Sequence, residues 1–124
     1  MTEQLVRTSS EDGIHTLMLA RPDKRNAISD RLLAALEAAL VAIPEGTRAV
    51  VLAGEGKHFC AGLDLSEHQH RDAFGTMLHS QSWHRIFARI QNGGIPVIAA
   101  LQGAVIGGGL ELATAAHLLL DQYE

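Results

Sequence analysis

Ile95-Pro-Val-Ile-Ala-Ala-Leu-Gln-Gly-Ala-Val-Ile-Gly-Gly-Gly-Leu-Glu-Leu-Ala113 is the most informative segment of this chain. It starts as an apolar run typical of a buried strand, passes through three consecutive glycines, and continues as a helix with Glu111 in its first turn. At such a junction, free backbone N–H groups and the helix dipole point at developing negative charge. The pattern predicts an oxyanion site with an acid or base one turn away.

The composition is that of one globular domain and favours small-molecule partners. The chain has 124 residues, of which 47% are apolar and 19% charged, and its formal net charge is −4. No run of Lys or Arg is present, which argues against a nucleic-acid or anionic-membrane surface. Cys60 is the only cysteine, so no internal disulfide forms. With no signal-peptide pattern at the N-terminus and no apolar window of membrane-spanning length, we expect a cytoplasmic protein.

Strand patterns alternate with helix patterns along the chain, which predicts an α/β fold. Asp12-Gly13 suits the turn of a hairpin, and Ser29 suits an N-cap. The run Ala49–Ala53 is continuously apolar, as expected for a strand covered on both faces. The predicted elements are strands over Leu5–Thr8, Ile14–Leu19, Ala49–Ala53 and the Pro96-Val-Ile-Ala-Ala run, and helices over Leu32–Leu40, Ala73–Ile90 and the residues after Gly107-Gly-Gly109.

Four pieces of the chain resemble the crotonase superfamily, the enoyl-CoA hydratase/isomerase proteins, in order and in spacing. They are Arg21-Pro-Asp-Lys-Arg-Asn-Ala-Ile28, Ala49-Val-Val-Leu-Ala-Gly54, His58-Phe-Cys-Ala-Gly-Leu-Asp-Leu65 and Pro96-Val-Ile-Ala-Ala-Leu-Gln-Gly-Ala-Val-Ile-Gly-Gly-Gly-Leu-Glu-Leu112. A glycine triplet alone is a weak signal, but the four pieces together are specific. They extend over most of the chain, from about Ile14 to His117.

The resemblance implies an α/β fold of the ClpP/crotonase type, a spiral of ββα units, which is incomplete here. Residues 1–124 are expected to form the amino-terminal portion of that domain. The hydratases carry a second glutamate further along the chain, and C-terminal helices through which they form trimers. This chain stops at Glu124, before either is reached. A homotrimer or hexamer is expected only if the fold is completed.

The resemblance also implies a site for an acyl-CoA thioester, with no separate cofactor and no metal. In this family the backbone N–H groups at the positions of Ala61 and Gly108 hold the thioester oxygen, and Glu111 orients or activates water. Coenzyme A is expected to contact two loops and the start of the last helix. The residues concerned are Lys24, Arg25, Ala27, Ala61, Gly62, Leu63, Asp64, Leu65, Gly107 and Gly108.

The implied reaction is hydration of a trans-2-enoyl-CoA to a 3-hydroxyacyl-CoA. Other branches of the family use the same oxyanion site for isomerisation, decarboxylation, dehalogenation or carbon–carbon hydrolysis. The early end of the chain favours another alternative, a catalytically inert module that binds CoA or a protein partner. Nucleotide binding through the glycine-rich junction, without chemistry, is a third hypothesis.

Structural roles compete with several functional ones. The glycine triplet by itself is typical of close packing between a strand and a helix. Cys60 is interpreted as a packing residue rather than a nucleophile, and Asp64 as a loop residue that binds nearby N–H groups. The seven histidines lack metal-ligand spacing, so we expect them at surface or substrate-pocket positions. Trp83 with Phe87 is interpreted as a core or lid edge.

Overall fold

Strands and helices alternate along the chain as predicted. The computed structural model describes residues 4–68 and 71–121, and within them are five strands, four α-helices and one 3-10 turn. The strands are β1 (Val6–Glu11), β2 (Ile14–Leu19), β3 (Ala49–Gly54), β4 (Val97–Leu101) and β5 (Leu118–Asp121). The helices are α1 (Asp30–Val41), α2 (Leu65–His68), α3 (Ala73–Asn92) and α4 (Gly108–Ala115), and the 3-10 turn is Pro22–Lys24.

The strands form a single mixed sheet in the order β1-β2-β3-β4-β5. β1 and β2 are antiparallel around Asp12 and Gly13, which have φ angles of 52° and 81°. Two consecutive positive φ values are what a tight hairpin turn requires, and they explain the Asp-Gly pair. β2, β3, β4 and β5 run parallel to one another. The predicted α/β class and the predicted hairpin are confirmed.

The core lies where alternate strand residues meet the apolar stripes of the helices. In β2 and β3 every second side chain is buried, as expected when one face of a sheet packs against helices. α1 packs against β1, β2 and α3, and α3 also packs against α4. Fully or almost fully buried core residues include Leu17, Leu19, Leu32, Leu36, Leu52, Ile86, Ile90 and Leu112.

Local signals place the helix ends correctly. The side chain of Ser29 accepts a hydrogen bond from the Leu32 N–H at 3.1 Å and caps α1, as predicted. α3 contains the predicted range Ala73–Ile90 and continues to Asn92, where Gly93 ends it. Its N-cap is Asp72, whose carboxylate accepts from the Gly75 N–H at 2.7 Å.

β3 differs from its prediction on one face. Val50, Leu52 and Gly54 are buried, whereas Ala49, Val51 and Ala53 are half-buried. The second face of the strand is only partly covered by residues 4–68 and 71–121. An apolar run therefore indicates a strand here, but it does not show that both faces are enclosed.

β5 lies at the sheet edge, and its side chains are exposed. Leu118, Leu119 and Leu120 are 58%, 47% and 59% exposed. The strand pairs with β4, with Ala99 opposite Leu119. Exposed leucines in a row on an edge strand are typical of an interaction or aggregation surface. No helix among the described residues is long and apolar enough to cross a bilayer.

Candidate active site

Each of the three glycines at the start of α4 has its own role. Gly107 has φ 54° and ψ −121°, a conformation that favours glycine, and it forms the N-cap. A Cβ atom on Gly109 would lie 2.3 Å from the Cys60 carbonyl oxygen, so the helix rests directly on that backbone. A Cβ on Gly108 would lie 3.2 Å from Ile28 Cδ1 and 3.4 Å from Trp83 Cζ2. The packing role expected of the triplet is therefore present at Gly109, while Gly108 lies between two apolar side chains.

The segment after β3 lies beside this helix start. Cys60 bridges to Val105, with the Cys60 N–H bonded to the Ala104 carbonyl at 3.1 Å and the Ile106 N–H bonded to the Cys60 carbonyl at 3.2 Å. Gly62 has φ 101°, and a Cβ there would lie 3.7 Å from the Gly108 nitrogen. The structure thus brings together the two motifs that the sequence pairs, residues 59–64 and residues 107–111.

Two backbone N–H groups at this meeting point are free of acceptors within the described residues. Gly108 is the first residue of α4, where N–H groups have no intrahelical partner. The Gly62 carbonyl accepts from the Ile28 N–H at 2.8 Å, and a trans peptide directs its oxygen and hydrogen to opposite sides. The N–H of Leu63 therefore points away from Ile28, and it donates to no other described residue.

Ala61 has a different environment from the one the resemblance implies. Its N–H donates to the Arg25 carbonyl at 3.0 Å. An N–H in such a bond has no hydrogen to offer a thioester oxygen unless the bond breaks, so the geometry conflicts with the donor role expected of Ala61. The free N–H of Leu63 was not predicted, because the direction of each peptide depends on which strand or loop it pairs with.

Asn26 holds the two loops of the site together. Its side chain is fully buried, donates to the carbonyls of Glu55 and His58, and accepts from the Arg21 N–H at 2.8 Å. Its φ of 56° lies in the left-handed region, which asparagine tolerates better than most residues. No role for Asn26 was predicted. Its only signal in the sequence was its position inside the Arg21–Ile28 motif.

Asp64 is a structural loop residue, as predicted. Its carboxylate accepts from the Ser66 N–H and hydroxyl, and it pairs with Arg21 at 2.9 Å. These contacts, first with Ser66 and then with Arg21, lower the pKa of Asp64 from 3.8 to about 2. The ionised carboxylate ties the 61–65 loop to the start of the Arg21–Ile28 motif.

The residues expected to contact coenzyme A lie around this loop. Lys24 and Arg25 are exposed, and their side chains form no ion pair with another described residue. Ala27 is half-buried, as are Ala61 and Leu63, whereas Leu65 is 70% exposed. Two exposed cations beside this half-buried loop make a surface that suits a phosphate-bearing ligand.

Glu111 lies in the first turn of α4 and is exposed. Its N–H donates to the Gly107 carbonyl at 3.0 Å, and its carboxylate has no hydrogen-bond or ion-pair partner in the part of the chain described. Placed three residues after Gly108, it is on the same end of the helix as the free N–H. Its carboxylate is therefore available to a water or a ligand.

Two interpretations of buried side chains have different outcomes. Cys60 is fully buried, burial raises the pKa of its thiol, and Sγ donates to the Asn26 carbonyl at 3.1 Å, which confirms the packing role. His15 and His79, expected at the surface or in a substrate pocket, are instead buried at 6% and 9% exposure, and His79 lies between Asp30 and Trp83. His70 lies outside the described residues. Within those residues, no group of three or more His, Cys, Asp or Glu is arranged to hold a metal.

Comparison with known proteins gives a consistent match. Residues 9–121 match the family model described as "Enoyl-CoA hydratase/isomerase". The chain is 40% identical to a probable enoyl-CoA hydratase, echA14, from Mycobacterium tuberculosis, over 91% of this chain and 45% of that protein. It thus spans less than half the length of this relative.

Solved structures agree in fold. The enoyl-CoA hydratase from Thermoplasma volcanium is 35% identical, with a TM-score of 0.92 over 96% of this chain and 48% of that one. A protein from Rhodopseudomonas palustris, named as a putative enoyl-CoA hydratase, is 54% identical, with a TM-score of 0.88 over 94% of this chain and 45% of that one. The α/β fold described above, with its mixed sheet, therefore corresponds to about half of each of these structures.

Proposed function

Because the chain belongs to the enoyl-CoA hydratase/isomerase (crotonase) family, we propose that it binds an acyl-CoA thioester and holds the carbonyl oxygen at the start of α4. The observation that carries this proposal is the pair of free N–H groups, Gly108 and Leu63, where the two motifs meet. Each preorganised donor of this kind stabilises an oxyanion by about 3 kcal/mol. Lys24 and Arg25 then attract the phosphates of coenzyme A.

The reaction that these residues suit best is hydration of a trans-2-enoyl-CoA. Water adds through its oxygen to C3, and the C2=C3 electrons move onto the thioester oxygen, where the N–H groups of Gly108 and Leu63 stabilise the enolate. Glu111 orients the water and accepts its proton. A proton is then added to C2 and the carbonyl re-forms, so the net change is addition of H to C2 and OH to C3.

The Leu63 donor replaces the Ala61 donor in this proposal, and the two assignments differ in an experiment. Replacing one backbone amide by an ester removes a single N–H while it keeps the side chain. An ester at Leu63 should weaken acetyl-CoA binding, and its effect on folding should be the smaller one, because it only weakens the Gly62 carbonyl as acceptor for the Ile28 N–H. An ester at Ala61 should destabilise the fold, since it removes the bond to Arg25, and leave binding unchanged. The opposite pattern would restore Ala61 as the donor.

Activity is tested by incubating the chain with crotonyl-CoA and following the absorbance of the conjugated enoyl thioester. Glu111→Gln removes the proton acceptor and should lower the rate about 100-fold or more. Glu45→Gln, which changes an exposed glutamate remote from α4 in sequence, serves as the matched control. No turnover above the Glu111→Gln variant would exclude the enzymatic proposal for this chain.

A second candidate function is a catalytically inert module that binds CoA or a further polypeptide. The exposed leucines of β5 favour it, because an uncovered edge strand offers both backbone groups and apolar surface. This candidate predicts binding of acetyl-CoA without turnover of crotonyl-CoA. The molar mass in solution is a second measurement. It tests the trimer or hexamer that the resemblance implies, which stays a prediction.

A further inference from the structure

Trp83, the only tryptophan of the chain, lies against the start of α4. Its Cζ2 atom is 3.4 Å from the point where a Cβ on Gly108 would stand, and Leu63 Cδ2 is 3.8 Å from the same point. The indole is only 9% exposed and packs on Phe87, with ring centroids 4.9 Å apart. The edge of the indole therefore forms a wall beside the Gly108 backbone.

A chain of hydrogen bonds holds this indole in place. Trp83 Nε1 donates to His79 Nε2 at 2.9 Å, and His79 Nδ1 lies 3.1 Å from Asp30 Oδ1. An indole N–H can only donate, so His79 Nε2 must be unprotonated. A neutral imidazole then carries its proton on Nδ1 and donates it to Asp30. The indole N–H therefore fixes the donor and the acceptor of both hydrogen bonds.

Asp30 is the last residue in this series of hydrogen bonds, at the end away from Trp83. It is the first residue of α1, and its carboxylate also accepts from Arg71 Nη2 at 2.7 Å. Burial raises the pKa of Asp30, but hydrogen bonds from His79 and Arg71 outweigh that effect and lower the pKa below its ordinary value. The ionised carboxylate selects the His79 tautomer that accepts from Trp83. α1, α3 and the start of α4 are thereby linked through three side chains.

We propose that His79 is a positioning residue, which together with Asp30 fixes the Trp83 indole against Gly108 and so aims the Gly108 N–H at the thioester oxygen. This inference rests on the proposed function, because it gives the Gly108 N–H a ligand. Neither His79 nor Asp30 touches the reacting atoms in this assignment. They act on the site only through the indole, whose edge lies against the Gly108 backbone.

The first test examines the chain without ligand, by amide NMR. His79→Phe keeps a ring of similar size but removes both hydrogen bonds, whereas His79→Gln retains an acceptor for the indole and a donor for Asp30. His79→Phe should shift the single indole N–H resonance upfield and move the Gly108 amide resonance. His79→Gln should restore most of both shifts. His84→Gln, an exposed histidine on the same helix, should change neither.

The second test separates a role in aiming the N–H from a general loss of structure. Trp83 fluorescence reports binding, with acetyl-CoA and free CoA as the two probes. Only acetyl-CoA carries the thioester carbonyl. His79→Phe should weaken acetyl-CoA binding about fivefold, which is the worth of the neutral hydrogen bond from the Gly108 N–H to the thioester oxygen. Binding of free CoA should stay within about twofold. Equal weakening of both ligands would assign His79 a structural role and overturn the proposal.

The remaining outcomes are also decisive. An indole shift without any change at Gly108 would show that the hydrogen-bond chain ends at Trp83, and would overturn the proposal. If the unmodified chain binds neither probe, the proposed function fails, whereas the unliganded NMR comparison still tests the link from His79 to Gly108. Should His79→Phe not fold, His79→Leu removes the same two hydrogen bonds and leaves the indole in place, and an unmoved Gly108 resonance in that variant would overturn the proposal.

Discussion

Gly109→Ala tests the contact on which the whole site depends, the seating of α4 on the Cys60 backbone. The added Cβ would lie 2.3 Å from the Cys60 carbonyl oxygen and 2.8 Å from Cys60 Cβ. Ordinary contacts of this kind are about 1 Å longer, and no flexible side-chain end is available to give way. The helix must therefore move away from residues 60–62, or the strand-like segment must shift.

The expected cost follows from two opposing effects. Overpacking of this severity costs about 3 kcal/mol, the upper end of the usual range. Alanine recovers about 1 kcal/mol, because it is a better helix former than glycine. The net destabilisation is about 2 kcal/mol, which for a domain of this size lowers the unfolding temperature by about 8 °C.

Urea and thermal unfolding followed by circular dichroism measure this change. The matched control is Gly46→Ala, where φ is 84° and nothing lies within 4 Å, so only the backbone conformation costs free energy, about 1 kcal/mol. Because the clash also displaces Gly108, acetyl-CoA binding should weaken more in Gly109→Ala than in Gly46→Ala. Gly109→Ala with the stability of the unmodified chain would refute the packing described here.

Three further predictions concern the loops around the site. Asn26→Ala leaves three half-buried backbone partners without their hydrogen bonds and should destabilise the chain by about 3 kcal/mol in urea unfolding; a change below about 1 kcal/mol would contradict the bracing role. The pKa of Asp64 is lower in the folded state, so its contribution to stability is present above pH 3.8 and is lost as the pH falls towards about 2. The Asp64→Asn variant should show a flatter dependence of the unfolding midpoint over that window, and an unchanged slope would count against the Arg21 and Ser66 contacts. Because burial raises the pKa of Cys60, a thiol reagent should label the native chain slowly and the urea-unfolded chain fast, and rapid native labelling would disprove its burial.

Local patterns predicted most of the elements. The Asp12-Gly13 turn, the Ser29 cap and the helix over Ala73–Ile90 depend on residues close together in the chain, and all three are present. The coverage of β3 was predicted less well, because it depends on what packs against each face. The apolar run Ala49–Ala53 has the same composition whether one face or two is buried.

The candidate site was predicted in its parts but not in its details. The pairing of the 59–64 motif with the 107–111 motif came from the resemblance, and the structure brings them together. The engagement of the Ala61 N–H by Arg25 was not visible in the sequence, nor was the burial of His79. Both depend on contacts between residues far apart in the chain.

The sequence by itself determined the α/β class, the family, and the glycines and carboxylate that make an oxyanion site chemically reasonable. These properties follow from residue type and local spacing, which act over one or two turns of chain. Only the tertiary structure decided which N–H groups are free at Gly108 and Leu63, and that a buried histidine holds the indole beside them. The physical reason is that the direction of a peptide and the burial of a side chain are set by the segment opposite, which local sequence does not specify.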